Sequence, residues 1–333
     1  MSKRYRKPAR TQEKTLRVLV YSLLMSAFAL VFVYSGSTLV WNMWVEPAQN
    51  TAVNNEIREI YTQAMNSKEE APDHTPGTAG DSVGGIEDDA PRRTEAVRRL
   101  AEEVNGDIVG WLSIGGTVID YPVLQTSAAG GEYYLYRNYK GEHSRHGSVF
   151  LDAACSPAGD MQVLYGHSMN DGSMFRSLVN FGDPAVVAAS PVIRYDTADE
   201  ASEWLIVSVF KTNTLPSQGK VFNYIRDDFD SAEDKLNYIY QVMQRSIVNT
   251  HVGVNENDDL LVLSTCSYEF SEFRTVVVAR RLRPGESLPA VQVELAENTL
   301  YPACWYRRYG GEAFPWPEDI ALAKEWDLID WHR

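Results

Sequence analysis

Cysteine and histidine are scarce in this chain, three and six among 333 residues, and none is spaced as metal ligands are. A disulfide-stapled scaffold and a metal centre are both excluded as organising principles, and no cofactor is expected. Basic residues are outnumbered, 31 against 45 acids for a formal net charge of -14, which excludes nucleic acid as a partner. Charge is absent altogether from Val18 to Trp41, so that segment is unsuited to the surface of a water-soluble fold. Bulky apolar residues are nearly absent from Ser67 to Arg93, which has Pro72, Pro76 and Pro91 and many acids. Such a composition cannot build a core and is expected to be a flexible linker.

The charge-free run is 24 residues long, about 36 Å as a helix against a hydrocarbon core of about 30 Å. Seven bases and one acid, Glu13, precede it within residues 1–17. By the positive-inside rule this basic segment stays in the cytoplasm, residues 18–41 contact membrane lipid as a transmembrane helix, and the rest lies outside. A cleavable signal is the competing reading, because Ala27-Phe28-Ala29 has the small-x-small form. It falls in the middle of an apolar run longer than a signal core, which argues against cleavage. Residues 42–93 then form a stalk and acidic linker, the stalk helical over Asn54 to Met65, where Ile57, Ile60, Tyr61 and Ala64 recur at helical spacing.

From residue 94 the chain has the size and composition of one ordinary domain. Thr94 to Val104 reads as a helix with Thr94 as its N-cap. Short apolar runs follow: Trp111 to Ile114, Thr117 to Ile119, Ser148 to Leu151, Gln162 to Tyr165, Val192 to Tyr195, Trp204 to Thr212, Leu260 to Thr265 and Thr275 to Arg281. Their spacing predicts a mostly antiparallel β-barrel. Ser173 to Phe181 and Ala232 to Ile247 read as helices within it, the second with Leu236, Ile239, Tyr240, Met243 and Ile247 on one side.

The stretch Leu263-Ser264-Thr265-Cys266-Ser267-Tyr268-Glu269-Phe270-Ser271, followed by Arg274 and Val276-Val277-Val278, places a thiol, a short loop and a guanidinium between two strands. A thiol performs acyl transfer as thiolate, and a fixed cation favours that form and can stabilise a tetrahedral oxyanion. The histidine in the most distinctive setting is His167, in Tyr165-Gly166-His167-Ser168-Met169-Asn170-Asp171-Gly172-Ser173-Met174-Phe175. With Val109-Gly110-Trp111-Leu112-Ser113-Ile114, Asp120-Tyr121-Pro122-Val123 and Gly147-Ser148-Val149-Phe150-Leu151-Asp152 in the same order, these segments resemble the class B sortases over roughly residues 94–287. One departure is Val262, where many sortases carry Thr.

That resemblance implies a mostly β fold, a closed sortase-type barrel with flanking helices, anchored in a Gram-positive bacterial plasma membrane. It implies a cysteine transpeptidase: Cys266 as nucleophile, His167 as general acid and base, Arg274 on the oxyanion or the substrate backbone, and Ser264 and Thr265 lining the substrate. The expected partners are surface proteins with a carboxy-terminal sorting signal, and an amine of a cell-wall precursor or pilin. Asp171 reads as a structural N-cap, and Glu142 to His146 as a solvated loop. With Cys266 free, Cys155 and Cys304 are either a disulfide or two buried thiols. Rival readings are an exported cysteine protease with the same residues and a noncatalytic wall-binding protein. Residues 288–333, rich in tyrosine and tryptophan, are a packing appendage ending in a helix near Glu318 to Asp327, or an aromatic surface for glycan or a partner.

Overall fold

The computed structural model describes residues 9–66, 89–126, 131–288 and 291–332. The chain divides into two compact units, 1–53 and 54–333. The first holds helix α1 (Ala9–Val40), a wider turn over Trp41–Val45 and the start of α2 (Glu46–Asn66), whose residues from Asn54 belong to the second. The described helix from Leu16 is long and apolar enough to cross a membrane, and its side chains from Leu16 to Val40 are exposed among the described residues. Residues 1–8 of the basic segment and 67–88 of the linker lie outside the described residues.

In the second unit eight strands close into a barrel in the order β1-β2-β3-β4-β8-β9-β6-β5. They are β1 (Ile108–Ile114), β2 (Asp120–Leu124), β3 (Val149–Leu151), β4 (Met161–Tyr165), β5 (Val192–Thr197), β6 (Ala201–Asn213), β8 (Leu260–Ser267) and β9 (Phe273–Arg281). The seams β2–β3 and β4–β8 are parallel and the others antiparallel. Runs such as Leu260 to Leu263 and Val276 to Ala279 are buried throughout, each large aliphatic side chain contributing about 1.5–3 kcal/mol. The predicted strand at Thr117 to Ile119 is instead the turn before β2. The Thr117 hydroxyl donates to the Ile114 carbonyl and accepts from the Ile119 amide, so the side chain closes the turn.

Two expectations about the segments before the barrel are corrected. Helix α3 (Ala90–Glu103) starts four residues before Thr94, with a proline in its first turn, and Asp89 takes the N-cap position. The Thr94 hydroxyl donates back to the Pro91 carbonyl. Nor is the stretch from Asn54 a free stalk. Ile57 is fully buried, Tyr61 stacks on Trp111 with centroids 4.1 Å apart, and Arg58 Nε donates to Asp120 at 2.6 Å.

Between β6 and β8 lie α5 (Ala232–Arg245) and a two-residue strand β7 (Val248–Asn249). The Ser231 hydroxyl caps α5 by accepting from the Asp234 amide, with Glu233 and Asp234 in its first turn and Arg245 in its last. Its covered stripe centres on Tyr238, Ile239 and Val242, with Leu236 and Met243 at the margin. A short helix α4 (Pro184–Ala189) precedes β5, and the predicted helix at Ser173 is a 3₁₀ turn over Phe175–Asn180. The C-terminal residues pack on the domain through β10 (Glu294–Leu295), α6 (Ala303–Tyr309) and α7 (Ile320–Glu325), with β10 paired to β7 and Trp331 buried. Tyr309 and Trp326 remain more than half exposed.

Arg93 locks α3 to the barrel. It donates to both oxygens of Asp196 on β5 and to Glu203 on β6, with all three side chains almost wholly buried. Arg93→Ala would leave buried Asp196 without its cation and Glu203 with only Arg194, 3.8 Å away. Urea unfolding should show a loss of about 3–5 kcal/mol.

Candidate active site

Cys266 sits near the end of β8, and the antiparallel register of β8 with β9 places Arg274 directly opposite it. Residues directly opposite on antiparallel strands project to the same face. Ser264, two residues earlier, shares that face, and its hydroxyl meets the Tyr224 hydroxyl at 2.8 Å. Burial pushes the Tyr224 phenol up, and the same group lies within electrostatic reach of Arg274 and Cys266. The insertion before β8 therefore reaches the face of the thiol. Cys266 is half-buried; Ser264 and Thr265 are buried. Thr265 projects to the opposite face and donates to the Gly166 carbonyl at 2.7 Å.

That last bond ties β8 to the segment carrying His167. Strand β4 runs parallel to β8, pairing Tyr165 with Ser264. Beyond the end of β4 the Gly166 amide donates to the Ser264 carbonyl at 3.3 Å, so the chain stays beside β8 as it reaches His167. Gly166 is required here because an added Cβ would lie 2.8 Å from the Phe175 ring. The chain then folds back so that the Phe175 amide donates to the His167 carbonyl at 2.8 Å.

The His167 ring is oriented by a backbone acceptor. Its Nε2 lies 2.8 Å from the Leu135 carbonyl, which can only accept, so Nε2 carries the proton and Nδ1 is the basic atom of the neutral ring. Leu135 is held by the loop closing at Gly147, where φ is +60° and a Cβ would stand 2.3 Å from the Leu135 oxygen. Burial pushes the His167 imidazole below its ordinary value; the Leu135 bond opposes this, and the charges of His146 and Arg274 add to it.

His146 was missed as a buried residue. It lies at the end of the segment read as a solvated loop, yet it is 2% exposed, and its Nε2 donates to Asp171 at 2.8 Å. Asp171 is not an N-cap. Burial works against its charge, but bonds from Ser173 and His146 hold its carboxyl below the usual range. No sequence periodicity links two residues 25 positions apart, and only the fold reveals the pair. Tyr268 and Glu269 shape the loop between Cys266 and Arg274: the Tyr268 hydroxyl donates to the Ser168 carbonyl at 2.7 Å, and Glu269 accepts from Lys211 at 2.6 Å. Cys155 and Cys304 are free and buried, with no disulfide between them.

Because burial above all, and the charges of His146 and Arg274 in addition, disfavour the imidazolium, His167 should titrate below the ordinary imidazole range, and Arg274→Gln should move its midpoint upward. Following the imidazole resonances by NMR across pH checks both signs; an unmoved midpoint would show that Arg274 does not face the ring.

Residues 112–282 match the sortase domain family model. Sortase B of Listeria monocytogenes is 31% identical over 241 residues, covering 72% of this chain and 86% of its own. Sortase B of Staphylococcus aureus is 32% identical over 186 residues, covering 55% of this chain and 73% of its own. Among solved structures, a Staphylococcus aureus sortase B–substrate complex matches with a TM-score of 0.59 at 26% identity, over 72% of this chain and 99% of that one. With that family match and those relatives, the chain belongs to the sortase family, among the class B cysteine transpeptidases.

Proposed function

We propose that this protein cleaves a carboxy-terminal sorting signal after a threonine, holds the product as a thioester on Cys266, and transfers it to an amine of a cell-wall precursor or of another surface protein. The register pairing of Cys266 with Arg274 is the observation that carries the reading. It puts a guanidinium on the face from which the thiol would attack, where charge develops on the acyl oxygen.

In this mechanism the neutral His167 takes the Cys266 proton on Nδ1 as sulfur bonds to the threonine carbonyl carbon. Arg274 donates to the oxyanion of the tetrahedral intermediate. The imidazolium then gives its proton to the leaving amine as the carbon–nitrogen bond breaks, completing the thioester. An incoming amine reverses the sequence: it loses a proton to His167, forms the new amide and releases the sulfur, which recovers its proton. Ser264 and Thr265 act from beneath the substrate, Ser264 by fixing Tyr224 and Thr265 by fixing the backbone that precedes His167. Residues 18–41 anchor the enzyme as an uncleaved single span, with the amino terminus in the cytoplasm and the barrel outside.

Mass spectrometry of the full chain in detergent micelles, incubated with a library of Pro-x-Thr peptides with and without triglycine, tests this. A thioester on Cys266 that converts to a triglycine amide is expected. Cys266→Ala should abolish the adduct, and His167→Ala should slow its formation about 10²–10⁴-fold. Hydrolysis alone, undiminished by triglycine, would make the protein a cysteine protease instead.

A further inference from the structure

The C-terminal residues beyond the barrel have no part in the mechanism above, yet α6 packs against the loop between Cys266 and Arg274. Trp305 on α6 lies nearly parallel to Phe273, the residue before Arg274, at 6.5 Å between centroids, and 6.3 Å from Phe270 at the middle of the loop. Tyr301 stacks on the outer face of Trp305 at 4.3 Å. Arg308 donates to the Glu269 carbonyl at 3.2 Å and lies over the Phe270 ring at 5.4 Å. Its neighbour Arg307 donates to the Ser217 and Gln218 carbonyls in the segment after β6. Gln218 in turn donates to the Ser271 carbonyl at 2.8 Å. One short helix thus joins both segments that flank the Arg274 end of the loop.

The loop needs such support. Glu272 adopts φ +53°, a left-handed conformation unfavourable for a non-glycine residue and kept where surrounding contacts over-determine it. The Arg274 guanidinium, meanwhile, bonds to the Phe273 carbonyl at 3.2 Å and the Glu272 carboxylate at 3.4 Å, both within two residues of itself. Its aim is inherited from Glu272 and Phe273: Phe273 is held by its pairing with Asn213 on β6 and Ser267 on β8 and by the Trp305 ring, the Glu272 carbonyl accepts from the Thr214 hydroxyl at 2.8 Å, and Arg308 and Gln218 hold the preceding Glu269 and Ser271 carbonyls.

We infer that α6 is a positioning element of the active site, with Trp305 and Arg308 holding the 267–273 segment so that Arg274 points at the acyl oxygen. This rests on the reading of Cys266 and Arg274 as nucleophile and oxyanion stabiliser. It goes beyond that reading in giving the aromatic C-terminal segment a role in the rate of acylation.

The test compares two reactions of the same thiol in the full chain in micelles. p-Nitrophenyl acetate acylates Cys266 through a tetrahedral oxyanion, forming the carbon–sulfur bond and releasing p-nitrophenolate; iodoacetamide alkylates the same sulfur with no oxyanion. Arg274→Gln should slow acylation about 10²-fold and slow alkylation less, because alkylation senses the guanidinium only through the thiolate fraction, so the ratio of the two rates isolates the oxyanion contact. Trp305→Ala and Arg308→Gln should reproduce that split at about tenfold, the cost of a misaimed donor rather than a missing one, and Trp305→Phe should recover most of the rate. Labelling of Cys155, which is buried in the core, marks an unfolded chain. Should Trp305→Ala unfold, Arg308→Gln, which removes only an exposed guanidinium, decides. Acylation at the wild-type rate in folded Arg308→Gln would overturn the inference alone. Equal acylation of wild type and Arg274→Gln would overturn the assigned role of Arg274 and the inference with it.

Discussion

Cross-strand register places the thiol of Cys266 opposite the guanidinium of Arg274, and the rest of the site is arranged around that pairing. The register is fixed by burial rather than by the two residues themselves. Leu261, Leu263, Val277 and Ala279 are fully covered, as are the residues between them, and a slip of one residue would exchange the side chains that are packed on the two buried faces. The aliphatic strands therefore do more than stabilise the barrel. They hold a cation and a thiol on one face near the end of the sheet.

His167 arrives by a separate route. It lies beyond the end of β4, which pairs in parallel with β8, and its ring is turned by a carbonyl from a third segment, the Leu135 loop. Three parts of the chain thus converge: the β8–β9 hairpin, the end of β4 and the segment between β2 and β3. Each is secured by contacts outside the chemistry. Thr265 binds the Gly166 carbonyl, Tyr268 reaches the Ser168 carbonyl, and Asp171 accepts from His146. Preorganisation of this kind lets charge develop in the transition state without reorganising the groups that stabilise it.

Much of this was legible in the residues. Apolar runs in β-branched residues mark β6, β8 and β9 because these strands are buried on both faces, and an uncharged 24-residue run marks the first helix. The loop of seven residues between Cys266 and Arg274 identified a hairpin. Features that depend on contacts between distant segments were not legible. The start of α3 was hidden by a proline and acids that, in isolation, read as linker. Tyr61 looked like one face of a stalk helix until Trp111 was seen beneath it. His146 sits among charged residues, and its burial depends on Asp171 folding over it. The aromatic C-terminal residues signalled packing without naming what they pack against, because aromatic content has no direction.

The most direct test of the account is a crystal structure of the protein alkylated at Cys266 by a peptidyl chloromethyl ketone ending in threonine. The account predicts sulfur bonded to the methylene, the ketone oxygen within about 3.2 Å of the Arg274 guanidinium, and the His167 Nδ1 edge turned toward the sulfur. A ketone oxygen directed away from Arg274, with the guanidinium facing solvent, would contradict it.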